Sequence, residues 1–267
     1  MAALPSLSLL GSLSSRKGQN VYFLSMLVCL DLGRRIGMRR LANDPDGAMV
    51  GSGTLEGAVF GLLALLVAFA FSGAASRFET RRQLIIEETN DVGTAYLRLD
   101  LLPLPAQPPL RERFRQYVTA RLDAYRQLPD VAAATQALAR ATAMQAEIWT
   151  QAVLHSRAPD AHPDAAKLLL PALNAVFDIT TTRTAALSRH PPTIIFIMLF
   201  VVALASALLA GHGLAASRRR NWFHMVGFAA VITVAVHVIL NLEFPRLGFV
   251  RVAGFDQFLS ALLESMR

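Results

Sequence analysis

The sequence predicts an all-α protein that crosses a membrane several times, with a helical region outside the membrane between two of the crossings. Three observations carry that expectation. Three apolar runs, residues 57–75, 193–211 and 222–242, contain no Asp, Glu, Lys or Arg. Arginines gather at the ends of these runs, where membrane-flanking residues belong. No stretch alternates apolar and polar residues as a half-buried strand does. The totals agree: 54% of residues are hydrophobic and 17% charged, too apolar for an ordinary soluble domain.

Taken in order, residues 1–53 form an N-terminal segment with a short apolar helix and a basic loop. "VYFLSMLVCL", residues 21–30, is short for a span and about right for the apolar part of a signal peptide. Arg16 and Lys17 precede it, but no small-x-small cleavage site follows. Val28 is too large for the position before a lipidated cysteine. The readings left are a shortened first transmembrane helix or a wrongly assigned start. "LDLGRRIGMRR" then supplies a basic stop.

Residues 54–75 form the next transmembrane helix, whose apolar run 57–75 covers roughly 28 Å, close to the hydrocarbon thickness. From Arg77 to Leu101 the helix pattern continues, with no proline until Pro103. Ile85, Thr89, Val92, Tyr96 and Leu99 fall on one face. Region 76–192 reads as helices throughout. Pro108–Pro109 suits a helix start, Asp130 an N-cap, and a last helix runs from about Ala165 to Arg189 across Pro171. Residues 193–242 form two transmembrane helices joined by a basic loop, and 243–267 a C-terminal tail. Cys29, the single cysteine, excludes an internal disulfide and any multi-cysteine metal site.

Candidate functional residues lie in two helices. Gly57, Gly61, Ala64, Ala68, Ser72 and Ala75 form a small-residue stripe at near-helical spacing. In lipid, association rests on close van der Waals contact, which small residues permit. The stripe fits contact with other helices of the same chain, or a subunit interface or pore-facing surface. Thr233, His237 and Asn241 are four apart and share a face of the last span. Polar groups at that depth need partners or water. In one reading Thr233 bonds its own helix backbone and His237 meets a neighbouring helix; in the other the face lines a hydrated ion or proton path. Glu56 suits a helix start.

Glu87, Glu88, Asn90 and Asp91 read as a solvated face that neutralises Arg81 and Arg82, with a cation site as the rival. His155, Asp160, His162 and Asp164 read as a polar loop, with a zinc site as the rival. There is no HExxH, G-x-S-x-G, P-loop or G-x-G-x-x-G motif, and no basic–aromatic interleaving. The chain therefore reads as a non-enzyme with no cofactor, no metal and no nucleic-acid partner. Its expected partners are the bilayer, further copies of itself, an ion, and a protein whose identity the sequence leaves open.

"GAMVGSGTLEGAVFGLLALLVAFAFSGAASRFETRRQLIIEETNDVGTAYLRLDLLP", residues 47–103, resembles the bacterial bestrophin-like integral membrane proteins, a family of unknown function. "LNLEFPRLGFVRV", residues 240–252, resembles the end of the same family, and the order of spans matches from about residue 30 onward. The resemblance implies distant kinship with bestrophins, pentameric anion channels with a helical pore. Their bulky apolar neck has no counterpart, since Phe60, Phe69 and Phe71 do not share a face. Their acidic calcium clasp has none either, so the resemblance implies no site residue.

Two functions follow as expectations: an oligomeric ion channel, with an anion the candidate ion, or a non-conducting membrane scaffold whose helical middle binds a protein. The Arg, Ala and Leu bias points to a bacterial genome, hence to the cell (inner) membrane. Arg34, Arg35, Arg39 and Arg40 in the loop 32–53 and Arg218, Arg219 and Arg220 in the loop 212–221 argue that these loops are cytoplasmic and the middle faces outward. The resemblance implies the reverse.

Overall fold

The structure is a computed structural model that describes residues 16–44, 52–127, 130–217, 221–244 and 256–266. Residues 1–15, the Arg218–Arg220 loop, and most of the tail segment matched by resemblance lie outside the described residues. The elements are α1 (Arg16–Asn43), α2 (Ser52–Arg98), α3 (Gln107–Arg126), α4 (Val131–Ser156), α5 (Ala165–Ser188), α6 (Thr193–Gly213), α7 (Trp222–Glu243) and α8 (Asp256–Ser265), with single 3-10 turns between some of them. No strand occurs among the described residues. Three helices, carrying the runs 57–75, 193–211 and 222–242, are long and apolar enough to cross a membrane.

The chain divides into two compact units. One comprises Met1–Arg77 and His190–Val250, the other Phe78–Arg189 and Arg251–Arg267. The long helix α2 contributes its apolar first part to one and its polar remainder to the other. It is a single helix of 47 residues, as the absence of a proline predicts.

In the first unit α1 lies parallel to α6. The Tyr22 ring meets Phe200 edge-on, 5.0 Å between centroids. A Cβ on Gly33 would stand 1.9 Å from the Leu208 carbonyl oxygen, and one on Gly37 would strike Ala215 and His212. Gly211 repays the contact, its Cβ position lying 2.0 Å from the Leu30 carbonyl oxygen. The backbones touch, and only glycine permits that. Tyr22, Met26, Leu30, Gly33 and Gly37, at helical spacing, form the buried face of α1. The short run 21–30 is thus the middle of a helix that follows α6 along its length. Its apolar run is short because Asp31, Arg34 and Arg35 already stand near the end of α6, where Arg34 donates to the Ser217 carbonyl (3.2 Å).

The second unit has its own core, including Leu99, Phe114, Tyr117, Ile148, Leu169, Leu173 and Val176. α3 begins on Pro108 and Pro109, and Asp130 caps α4 by accepting from the Ala133 N–H at 3.0 Å. Both starts match the sequence reading. Pro171 sits inside α5. The C-terminal helix α8 is part of this unit: Leu259 and Met266 join its core, and the Met266 carbonyl accepts from the Tyr96 hydroxyl (2.8 Å) and from Arg115 (3.1 Å).

Candidate functional site

The small-residue stripe occupies the face of α2 that the first unit leaves open. Gly57, Gly61, Ala64, Ala68 and Ser72 are exposed and Ala75 is half-buried. A Cβ on Gly57 or Gly61 would meet nothing within 4 Å. The opposite face does the packing inside the chain: Leu63 and Ala74 are buried, and Phe60 meets Phe228 of α7. Only 11% of the most apolar stretch of α2 is buried, against 39% for α7. α2 is therefore the span with the most surface left to cover.

Two polar pairs flank the apolar run of α2, one a close approach and the other hydrogen-bonded. Glu56 Oε1 lies 3.6 Å from His212 Nδ1. At the other end Arg77 donates through Nε (2.9 Å) and Nη2 (2.8 Å) to Glu243 Oε2. Glu243 is wholly buried, and its second oxygen meets His190 Nδ1 at 2.9 Å. The His190 ring stacks on Phe244, 4.8 Å away. From Glu56 to Arg77 a helix rises about 32 Å, the thickness of the hydrocarbon core. The two pairs are thus about one hydrocarbon thickness apart along α2.

On α7 Thr233 and Asn241 are buried and His237 is half-buried. The side-chain amide of Asn241 donates to the His237 carbonyl at 2.8 Å. The reading that Thr233 bonds its own backbone does not hold, since its hydroxyl has no hydrogen-bond partner among the described residues. The buried Ser206 hydroxyl of α6 shares that condition. Asn241, with the longer reach, makes the local bond instead.

The acidic run on α2 is also corrected. Glu87 and Asn90 are exposed, but Glu88 is fully buried. It accepts from Arg121 Nε at 2.9 Å and pairs with Arg183, both buried. Burial would push the Glu88 carboxyl up, yet the two guanidiniums hold it below the usual carboxylate range. Tyr125 completes the cluster: it bonds Arg121 and lies 4.0 Å under the Arg183 guanidinium. Arg81 donates to the Ala186 and Arg189 carbonyls. The clue to Glu88 was its register. Ile85, Glu88 and Val92 are three and four apart, so Glu88 shares the apolar face. Glu243, a lone acid at the end of a run, has no such register signal.

The histidine loop is built from local bonds. His162 Nδ1 accepts from the Asp164 N–H at 3.2 Å, and the His162 N–H donates to the Leu101 carbonyl. His155 instead lines a cleft of about 590 Å³ between α3 and α4, with Arg113 and Glu147.

The family model for the Bestrophin-like domain matches residues 27–253. Comparison with curated proteins and with solved structures gives no match.

Proposed function

The chain belongs to the bestrophin-like family, and from that premise we propose that it is a multi-pass membrane protein that assembles with copies of itself around an ion-conducting path. The observation that carries this reading is the open small-residue face of α2. Gly57 and Gly61 have clear space where a side chain would be, while the opposite face is engaged within the chain. Apolar side chains gain little by leaving lipid for one another, so close backbone approach has to supply the contact. A second α2 offers a matching surface. The kinship with bestrophins makes an anion the expected ion. Thr233, His237 and Asn241 are the polar groups available to a path inside the bundle. Thr233 and Ser206, whose buried hydroxyls have no hydrogen-bond partner among the described residues, are set to take a water or ion.

The test is ion flux into liposomes from the purified chain, with its oligomeric state in mild detergent and the Gly61→Leu variant alongside. A leucine there holds neighbouring backbones apart, so flux and assembly should be lost together. Leu62→Phe, off the stripe, should keep both. If Gly61→Leu and Leu62→Phe behave alike, the stripe is not the interface. An assembled wild type with no flux selects the second reading, a non-conducting scaffold. That reading draws on Leu97, Leu104 and Leu154, large apolar side chains exposed on the second unit.

A further inference from the structure

Beyond Gly33, α1 changes character. Gly37 packs on His212 and Ala215, and α6 ends at Gly213. Residues 34–40 therefore lie level with the end of the α2 apolar run beside Glu56 and His212, and so with one edge of the bilayer. On the outward side of α1 stand Leu32, Ile36 and Met38, all exposed, with Arg35 and Arg39 between them, and exposed Arg40 follows one turn beyond Ile36. Leu32 and Ile36 are four apart, as are Arg35 and Arg39, so apolar and cationic rows run side by side.

Over residues 31–44 four arginines face two carboxylates, Asp31 and Asp44. Asp31 is taken by Arg35 at 2.7 Å. Arg39 and Arg40 are exposed and pair with no acid among the described residues. An arginine at this depth lays its methylene stem along the acyl chains and lifts its guanidinium to the headgroups. There the planar fork matches two phosphate oxygens at once. The surplus of positive charge favours a lipid with a net negative headgroup over a zwitterionic one.

We propose that this exposed end of α1, through Arg39 and Arg40 with Leu32 and Ile36 beside them, binds the phosphate headgroups of anionic phospholipids at that edge of the bilayer. The proposal is independent of ion conduction. Its test uses the full chain in mild detergent, offered phosphatidylglycerol or phosphatidylcholine, with bound lipid counted by native mass spectrometry. The wild type should retain phosphatidylglycerol in preference. Arg39→Gln with Arg40→Gln should cut that preference about 25-fold, each headgroup-level arginine being worth about fivefold. Arg140→Gln with Arg157→Gln removes the same charge from exposed positions in the second unit and should leave the preference intact. Equal retention of both lipids by the wild type overturns the proposal, as does an equal loss in the control pair. Displacement of the lipid by millimolar inorganic phosphate would show a free-anion site instead. Protection of Arg39 and Arg40 from chemical modification in lipid-free oligomers would show that a second copy covers this face.

Discussion

Glu88→Gln is the most informative single substitution in the second unit. It keeps the side-chain shape and removes the one negative charge between two buried guanidiniums. Arg121 is 1% exposed and Arg183 5%, so water cannot replace the lost partner. At an effective dielectric of about 20, a charge pair about 3 Å apart attracts by about 5–6 kcal/mol before desolvation is counted. Stranding a buried partner costs about 3–5 kcal/mol net. For a unit of this size that lowers the melting midpoint by about 10–20 °C. The assay is thermal unfolding of the full chain in detergent, with hydrogen-exchange protection read over α3 and α5. The pH dependence follows from the same group. Because the folded Glu88 carboxyl lies below its unfolded value, its stabilisation is complete above the unfolded value of about 4.3. It is lost as pH falls through the folded one. The variant should lack that acid limb. Replacing Glu88, Arg121 and Arg183 together by methionine should cost less than Glu88→Gln, since no charge is then left unpaired. A Glu88→Gln midpoint within about 4 °C of wild type, the shift expected of about 1 kcal/mol, would refute the reasoning. So would a triple variant less stable than the single one.

Gly33→Ala and Gly211→Ala should each loosen α1 from α6, because the added carbon would lie about 2 Å from a backbone oxygen, whereas Gly57→Ala should leave the isolated fold intact. Trypsin sensitivity of the α1 arginines in detergent would separate them. Sidedness can be read from Asp160→Cys in a Cys29→Ser chain: labelling of intact cells by an impermeant thiol reagent is expected if the basic loops are cytoplasmic, and labelling only after lysis would reverse that assignment.

The spans were legible because hydrocarbon tolerates few ionised side chains, and that demand writes an unbroken apolar run into the sequence. α1 was legible only in part. Its contact with α6 is made by Gly33, Gly37 and Gly211, residues that carry no apolar signal and lower helix propensity. The stripe on α2 shows the converse. Periodicity names a face and its need for close contact, but it does not name the occupant. The chain's own helices were one candidate, and the fold puts them on the other side of α2.

Glu243, Arg77 and His190 look beyond reach, since 166 and 53 residues separate the partners. Their meeting nonetheless follows from the parity of the crossings. The run 57–75 leaves the membrane at Arg77, the chain returns to the same edge at His190, and the run 193–211 carries it across. The run 222–242 then brings it back, so Glu243 must emerge beside the other two. The same count puts Glu56 and His212 together on the opposite edge. Each residue lies within three positions of the end of an apolar run, where a charge can still reach headgroup water. A buried acid at that depth is costly unless paired, and the groups at hand to pair with it are those bounding the other runs on the same edge. Run boundaries and parity together therefore bring Arg77 and His190 to the edge where Glu243 emerges, and bring both His212 and Arg220 to the edge of Glu56. Glu88 yields to no such count, because its partners come from helices whose order around the second unit's core is set by packing rather than by a bilayer.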